Sequence, residues 1–335
     1  MTNRDITFEA NMFLNDMDDV WSVNNRNFNA LALNIFQYQA KNNDIYAQYL
    51  DLIGKATESI SHYSEIPFLP ISLFKTHDVI TGEFETSHIF ESSTTTGTIP
   101  SRHFIKNTNG YHQNCLKIIE QKIGPLSDFE VFGLLPNYLE RKNSSLISMV
   151  KFLMEENQQS MNFFLYDFEK LYDKLHKSKK KKLLFGVSFA LLDFAQEYSL
   201  DLKDLTIIET GGMKGRKKEM TKSELYEQLQ NSFKNSSIIS EYGMTELMSQ
   251  AYSDKDCIYT CPAWMKVLPR ADNDPLSKDT VKGHTAALNI IDLANINSCC
   301  FIATDDLGKV HEDGRFEVTG RLDQSDIRGC SLMAI

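Results

Sequence analysis

The sequence predicts an α/β fold with largely parallel strands. Short apolar runs alternate with helical segments from about residue 112 onward, and the pattern becomes β-rich beyond residue 280. Repeated alternation of this kind favours a parallel sheet covered by helices. The chain has 335 residues, which is enough for one large or two medium domains.

The individual elements are predicted as follows. Residues 10–60 have a polar, helical pattern with aromatic residues at intervals. Residues before proline avoid the helical region, so Ile66–Pro70 is predicted to be an extended turn. Helices are predicted to begin at Ser144 and at Thr221, where a capping box precedes a helix to about Phe233. The remaining predictions are strands at Val131–Leu135, Leu183–Ser188, Leu205–Ile208 and Ser237–Ser240, a helix at Phe189–Tyr198, and a hairpin over Val310–Val318 that closes at Asp313–Gly314.

Composition excludes several function classes. The formal net charge is −10, so phosphate would be repelled over most of the surface, and we expect no nucleic-acid binding. We expect no membrane span, because no apolar run approaches the required length. The six cysteines form no framework typical of a secreted chain, which predicts a cytoplasmic protein with reduced thiols. Cys257 and Cys261 lack the further ligands of a zinc site, and the basic run Lys177–Lys182 is interpreted as a solvated loop.

Three polar or glycine-rich segments follow predicted strands. They are Glu209–Met213, Glu241–Glu246, and Thr304–Gly308 after a strand at Cys299–Ala303. Ligands of open α/β sheets bind beyond the carboxyl ends of the strands, so these segments predict a single site.

The residue types in these segments suit a nucleotide. A hydroxyl-rich loop that ends in glycine, Ser92–Gly97, can hold phosphate oxygens. The Thr245 hydroxyl can bond an α-phosphate, the Glu246 carboxylate can hold Mg²⁺, and Asp306 can accept ribose hydroxyls. Taken singly, each also has a plainer interpretation as an ordinary loop, a helix start or a turn residue.

In combination and in this order, the Ser/Thr-Gly loop, Tyr-Gly-Met-Thr-Glu, Thr-x-Asp-Leu-Gly and Gly-Arg-x-Asp resemble the adenylate-forming superfamily. Within it, the chain is most similar to the acyl-protein synthetase component of the bacterial bioluminescence fatty acid reductase. The phenylacetate-CoA ligases are a related family. The narrower likeness covers about residues 65–335 and depends on Pro67–Pro70, Pro136–Arg141, Ser144–Leu146, Thr210–Gly215 and Arg328–Leu332.

The resemblance implies a fold and a set of roles. The fold is the large domain of adenylate-forming enzymes, with mostly parallel sheets flanked by helices and a β-rich C-terminal part. The catalytic residues would be Cys330, Thr245 and Glu246, with Glu246 also the metal ligand for Mg²⁺. The residues that bind ATP would be Ser92, Ser93, Thr95, Thr96 and Gly97 at the phosphates, Gly211, Gly212 and Met213 at the adenine, Tyr242 near the base, and Asp306 with Arg321 at the ribose.

The sequence also departs from the superfamily pattern. Thr94 stands where the loop usually has glycine, and no lysine follows Pro100 at the usual place. Asp323 matches the hinge before the small C-terminal domain, which we expect to be missing or vestigial together with its lysine. The predicted organisation is therefore a core over 1–320, whose residues 1–65 are helical, followed by a hinge-like segment and arm over 321–335.

Three hypotheses for function follow. The first is activation of a carboxylic acid, by resemblance a fatty acid, to acyl-AMP, followed by transfer to the thiol of Cys330. Arg328 can favour the thiolate and Gly329 lets the arm bend. The second is a ligase that passes the acyl group to CoA or a carrier protein. The third is a non-catalytic subunit that binds nucleotide or acyl chains. The resemblance also implies an acyl-processing reductase as a partner.

Overall fold

The computed structural model describes residues 17–93, 99–136, 143–211, 220–253, 257–272, 276 and 283–322. Within these ranges the helices are α1 (Met17–Trp21), α2 (Phe28–Asn42), α3 (Asp44–Leu52), α4 (Leu73–Thr76), α5 (Thr108–Ile123), α6 (Ser145–Glu156), α7 (Phe168–Lys177), α8 (Ser188–Glu197) and α9 (Lys222–Ser232), with 3₁₀ turns at Thr57–Ser59, Tyr63–Glu65 and Leu126–Asp128. Across the same ranges, no helix has both the length and the apolar character needed to cross a membrane.

The strands described in these ranges are β1 (Leu69–Pro70), β2 (His88–Glu91), β3 (Arg102–Ile105), β4 (Phe129–Leu134), β5 (Lys181–Val187), β6 (Leu200–Asp201), β7 (Leu205–Thr210), β8 (Phe233–Lys234), β9 (Ser237–Tyr242), β10 (Ala251–Ser253), β11 (Tyr259–Thr260), β12 (Met265–Arg270), β13 (Thr285–Asp292), β14 (Phe301–Val310) and β15 (Phe316–Arg321). Two short pairs, β2–β3 and β6–β8, stand apart from one large sheet.

The large sheet is mixed. Its order is β12-β13-β14-β15-β11-β10-β9-β7-β5-β4, and β1 pairs with β14. Strands β4, β5, β7 and β9 run parallel to one another. Every neighbouring pair in the rest of the path, from β9 through β10, β11, β15, β14 and β13 to β12, is antiparallel. The parallel part is the alternating strand–helix region of the sequence, and the antiparallel part is its β-rich C-terminal region. The predicted α/β architecture is therefore confirmed.

The parallel strands are buried because helices cover them. Strand β5 is buried from its second residue to its last, and α8, which follows it directly, has six buried residues. Continuous burial is typical of parallel strands with covered faces. Thr221 caps α9 through the predicted capping box, with Glu224 as the reciprocal partner.

The N-terminal helices are joined to the C-terminal part by buried polar side chains. In α2, the Gln39 amide donates to the carbonyls of Asn295 and Ile296 at 3.2 and 2.9 Å and accepts from the Cys300 backbone at 2.9 Å. The Asn43 side chain donates to the Ser298 carbonyl at 2.9 Å. A buried turn carries backbone groups that need partners, and these two side chains supply them.

One prediction at a strand boundary is wrong. Thr304–Gly308 lies inside β14 instead of following a strand, because β14 continues to Val310 and pairs with β15 beyond a register shift at Leu307 and Gly308. A Cβ on Gly308 would lie 2.0 Å from the Glu317 carbonyl oxygen, so only glycine allows this close pairing.

The basic run is also more ordered than predicted. Strand β5 begins at Lys181. The side chain of Lys182 is buried, and its ammonium lies 2.5 Å from the carboxylate of Asp204, which is exposed. Lys181 lies 3.1 Å from the Asp128 carboxylate. The last two lysines of the run therefore tie the start of a strand to its neighbours instead of forming a solvated loop.

Candidate functional site

The segment after β9, which carries Thr245 and Glu246, is fixed through its backbone. The Thr245 carbonyl lies 2.8 Å from Nδ1 of His103, and the Glu246 carbonyl accepts from the Asn295 amide at 2.8 Å. The Met248 carbonyl accepts from the Asn114 amide at 2.8 Å. Each partner comes from a different element, so the segment is held by long-range contacts.

A buried carboxylate completes this support. Asp292 is fully buried and accepts from the backbone N–H groups of Met248, Ser249 and Ala294 at 2.9, 2.8 and 3.2 Å, and from the Ser249 hydroxyl at 2.7 Å. Burial raises the pKa of Asp292, while these hydrogen bonds oppose that effect. A catalytic group on such a preorganised segment needs little rearrangement during reaction.

Glu246 contacts Ser101, which follows the hydroxyl-rich loop in the sequence. Its carboxylate is 5% exposed and accepts a hydrogen bond from Ser101, and burial raises its pKa. Ser101 in turn pairs with Ser92, through Ser92 N to Ser101 O at 3.0 Å and Ser101 N to Ser92 Oγ at 2.9 Å. Ser92, the first residue of the predicted phosphate loop, is therefore linked to Glu246 through Ser101. Ser93 is exposed, whereas Thr95, Thr96 and Gly97 lie outside the described residues.

Tyr242, Asp306 and Arg321 form one cluster. The Tyr242 hydroxyl donates to one Asp306 oxygen at 2.8 Å, and Nε of Arg321 donates to the other at 2.8 Å. Asp306 and Arg321 face each other in the β14–β15 register, and Tyr242 ends β9. The structure thus brings together three residues that the sequence analysis assigned to one nucleotide.

A second carboxylate cluster supports the predicted adenine segment. Glu209 is fully buried at the end of β7, where its oxygen accepts from the Lys222 ammonium at 2.6 Å and the Ser240 hydroxyl at 2.5 Å. Gly211 follows with φ of 75°, a conformation that favours glycine. Gly212 and Met213 lie outside the described residues.

Glu241 is a further buried acid that the sequence analysis did not single out. Its carboxylate accepts from the Tyr252 hydroxyl at 2.8 Å and the Thr210 hydroxyl at 3.1 Å. Burial, helped by the nearby Glu209 charge, raises the pKa of Glu241 to about 7. The folded protein therefore holds this proton more tightly than the unfolded chain.

We expect Glu241→Gln to flatten the dependence of stability on pH between about pH 5 and pH 7. A folded pKa above the unfolded value means that the wild type loses stability as pH rises through this window. The amide keeps the shape and the hydrogen-bonding atoms but does not ionise. Urea unfolding at pH 5, 6, 7 and 8 measures the effect, and parallel stability profiles for wild type and variant would contradict it.

We expect Asp306→Ala to weaken ATP binding tenfold or more while carboxylic acid binding changes little. Charge-assisted hydrogen bonds contribute about 1.5–3 kcal/mol each, and the variant loses the acceptor for both ribose hydroxyls. Isothermal titration calorimetry with ATP measures the change. Asp305→Ala, at the neighbouring position, is the control, and equal ATP affinities in the two variants would refute the placement.

The donors present suit a metal ion that is shared with a substrate. The described residues contain no group of three or more side chains that could hold a metal by themselves. Mg²⁺ is commonly held by one or two carboxylates together with phosphate oxygens. Glu246, a buried carboxylate beside the predicted phosphate loop, fits that arrangement. Cys330 lies outside the described residues.

Sequence reasoning did not find the residues that hold this site in place. His103, Asn114, Asp292 and Asn295 stand in no motif, and their contacts span 142, 134, 44 and 49 positions of the chain. The periodicity of one sequence contains no signal for such pairs.

Comparisons with known proteins identify the family of the chain. The family described as "Acyl-protein synthetase, LuxE" matches residues 4–334. A long-chain-fatty-acid–luciferin-component ligase of Vibrio harveyi is 23% identical over 333 residues, which cover 90% of this chain and 85% of that protein.

Solved structures show the same fold. A 2-hydroxyisobutyryl-CoA ligase in complex with 2-HIB-AMP and CoA aligns with a TM-score of 0.66 at 13% identity, over 89% of this chain and 68% of that chain. The O-succinylbenzoate coenzyme A synthetase of Bacillus subtilis, in complex with AMP, aligns with a TM-score of 0.53 at 14% identity, over 82% and 54%. The chain thus spans about half the length of that synthetase. The resemblance inferred from the motifs is confirmed: the chain belongs to the acyl-protein synthetase family LuxE and has the fold of adenylate-forming enzymes.

Proposed function

We propose that the chain is an ATP-dependent acyl-protein synthetase, which converts a carboxylic acid to acyl-AMP and then transfers the acyl group to its own Cys330. The observation that carries the proposal is the convergence of Glu246 with the Tyr242–Asp306–Arg321 cluster in a family of acyl-protein synthetases. The charges of Arg321 and Asp306 influence the pKa of Glu246, which supports the proposal that the metal carboxylate and the ribose carboxylate belong to one site.

In the first step, a carboxylate oxygen of the acid attacks the α-phosphorus of ATP. The bond from this phosphorus to the bridging oxygen of the pyrophosphate breaks, and pyrophosphate leaves. Asp306 and Arg321 hold the ribose, and the Thr245 hydroxyl donates to an α-phosphate oxygen, where charge increases. Glu246 would hold Mg²⁺, whose positive charge would neutralise the phosphates.

In the second step, a thiolate sulfur attacks the acyl carbonyl carbon, and the carbon–oxygen bond to AMP breaks. AMP leaves with the electron pair of that bond, and a thioester remains on the protein. AMP is a far better leaving group than hydroxide, which is the chemical reason to consume ATP.

The described cysteines narrow the choice of acceptor. Cys115, Cys299 and Cys300 are fully buried, and burial raises the pKa of each thiol. Burial also raises the pKa of Cys261, to about 12. A thiol that resists ionisation is a poor nucleophile. These environments disfavour four of the six cysteines as acyl acceptors. The remaining candidates are Cys257, which is partly exposed, and Cys330.

The substrate class and the partner are proposed from the family resemblance. The name of the Vibrio harveyi relative includes a long-chain fatty acid, so we propose a fatty acid as the substrate. An acyl-processing reductase that removes the acyl group from the thioester is the proposed partner.

Acid-dependent exchange of labelled pyrophosphate into ATP tests the proposal. We expect exchange that requires both Mg²⁺ and a carboxylic acid, and a screen of acids of increasing chain length identifies the preferred substrate. Nucleotide binding without exchange for any acid would favour the non-catalytic subunit. Exchange followed by label on added CoA, with none on the protein, would favour the CoA ligase.

A further inference from the structure

His103, on β3, contacts the segment that carries Thr245 and Glu246. The side chain is 1% exposed, and its ring packs edge-on against Phe74 with centroids 6.4 Å apart. Nδ1 lies 2.8 Å from the Thr245 carbonyl oxygen, and Nε2 lies 2.9 Å from Oδ1 of Asn295. Both ring nitrogens therefore have a polar neighbour in an otherwise packed environment.

The orientation of Asn295 is set by two other contacts. Its amide nitrogen donates to the Glu246 carbonyl at 2.8 Å and to the Cys299 carbonyl at 2.9 Å. Carbonyl oxygens only accept, so the amide nitrogen must face them and the amide oxygen must face His103. Both nitrogens of the imidazole consequently face oxygen acceptors.

A neutral imidazole has one N–H and can satisfy only one of these acceptors. Burial lowers the pKa of His103 to about 4, while the two hydrogen bonds oppose that effect. The ring is therefore neutral near pH 7. A proton on Nδ1 reaches the Thr245 backbone directly, whereas a proton on Nε2 reaches only Asn295.

A cavity of about 120 Å³ lies beside His103 and Asn295, and its lining also includes Lys106, Met248 and Ser298. Side chains next to a cavity have fewer packing contacts to hold them in place. The hydrogen bonds that join His103 and Asn295 to Thr245 and Glu246 therefore carry a larger share of their positional restraint.

We propose that His103 is a positioning residue for acyl-AMP formation, whose Nδ1–H holds the Thr245 carbonyl and thereby places the Thr245 hydroxyl and the Glu246 carboxylate. The Asn295 amide holds the Glu246 carbonyl in the same way. His103 touches neither substrate nor metal in this account. The inference rests on the proposed function, because it concerns the rate of that reaction.

Two conservative substitutions separate the two ring nitrogens. The amide nitrogen of asparagine can occupy the place of Nδ1, and that of glutamine the place of Nε2. We expect His103→Asn to retain kcat for pyrophosphate exchange within about threefold. We expect His103→Gln to lose roughly 10- to 100-fold in kcat, since a misplacement of about 1 Å can cost on the order of 100-fold. KM for the acid should change less than about threefold in both.

Urea unfolding of each variant and a control, Gln39→Leu, complete the test. Gln39 bonds to the same turn as Asn295 without touching Thr245 or Glu246, so its loss should lower stability with little loss of kcat. Equal kcat losses in His103→Asn and His103→Gln would overturn the positioning role. So would a kcat loss in Gln39→Leu as large as that in His103→Gln, because loss of stability alone would then explain both. A wild type without exchange would instead overturn the proposed function, and the assigned role with it.

Discussion

Glu246→Gln should abolish acid-dependent pyrophosphate exchange while the fold remains intact. The substitution removes the negative charge that is proposed to hold Mg²⁺ and keeps the shape of the side chain. Metal stabilisation of the transition state contributes several kcal/mol, and each 1.36 kcal/mol corresponds to a tenfold change in rate, so we expect a loss of at least roughly 100-fold.

The stability of the Glu246→Gln variant should not fall with its activity. Burial raises the pKa of Glu246, which means that its ionised form is disfavoured in the folded protein. A neutral amide avoids that cost, so the free energy of unfolding at pH 7 should be equal to or above that of wild type. Lost activity with retained stability is the pattern expected of a functional residue.

Ser101→Ala is the matched control for Glu246→Gln. It removes the hydrogen bond to the Glu246 carboxylate but leaves the charge. Exchange in this control should fall much less than in Glu246→Gln. Exchange by Glu246→Gln within threefold of wild type would remove Glu246 from the metal role.

Cys330→Ser should form acyl-AMP and fail to acylate the protein. A thiolate attacks an acyl-adenylate readily, whereas a serine hydroxyl without an activating base does not. Cys330 lies nine positions beyond Arg321, so an extended chain of roughly 3.3 Å per residue spans up to ~30 Å, which is ample reach from the proposed ribose site. The variant would accumulate or slowly hydrolyse acyl-AMP.

Labelled fatty acid with ATP, followed by a denaturing gel and hydroxylamine treatment, measures this acylation. Cys257→Ser is the matched control. Cys257 and Cys261 are both partly exposed, but burial raises the pKa of the Cys261 thiol to about 12, which leaves Cys257 as the competing acceptor among the described cysteines. We expect full labelling in Cys257→Ser and none in Cys330→Ser. The reverse result would transfer the acceptor role to Cys257.

The fold was largely predictable because each element of the parallel region has a local signal. Apolar runs marked β4, β5, β7 and β9, and Thr221 with Glu224 marked the start of α9. The boundary of β14 was not predictable, because its continuation through Asp306 depends on pairing with β15 and on the close approach at Gly308.

The candidate site was predictable only where its residues stand in motifs. Tyr242, Asp306 and Arg321 were singled out from the sequence, and the structure joins these three by hydrogen bonds. The sequence contains no local signal for the contact of His103 with Thr245, because it joins strand β3 to the segment after β9, 142 positions along the chain.

The central claim is that one chain both makes the acyl-AMP and accepts its acyl group. Intact-mass measurement of the protein after incubation with MgATP and a long-chain fatty acid, without CoA or any other protein, tests it most directly. The account predicts a mass increase equal to one fatty acid minus one water per chain, with AMP and pyrophosphate released in equal amounts. Acid-dependent release of AMP and pyrophosphate from a protein of unchanged mass would contradict it.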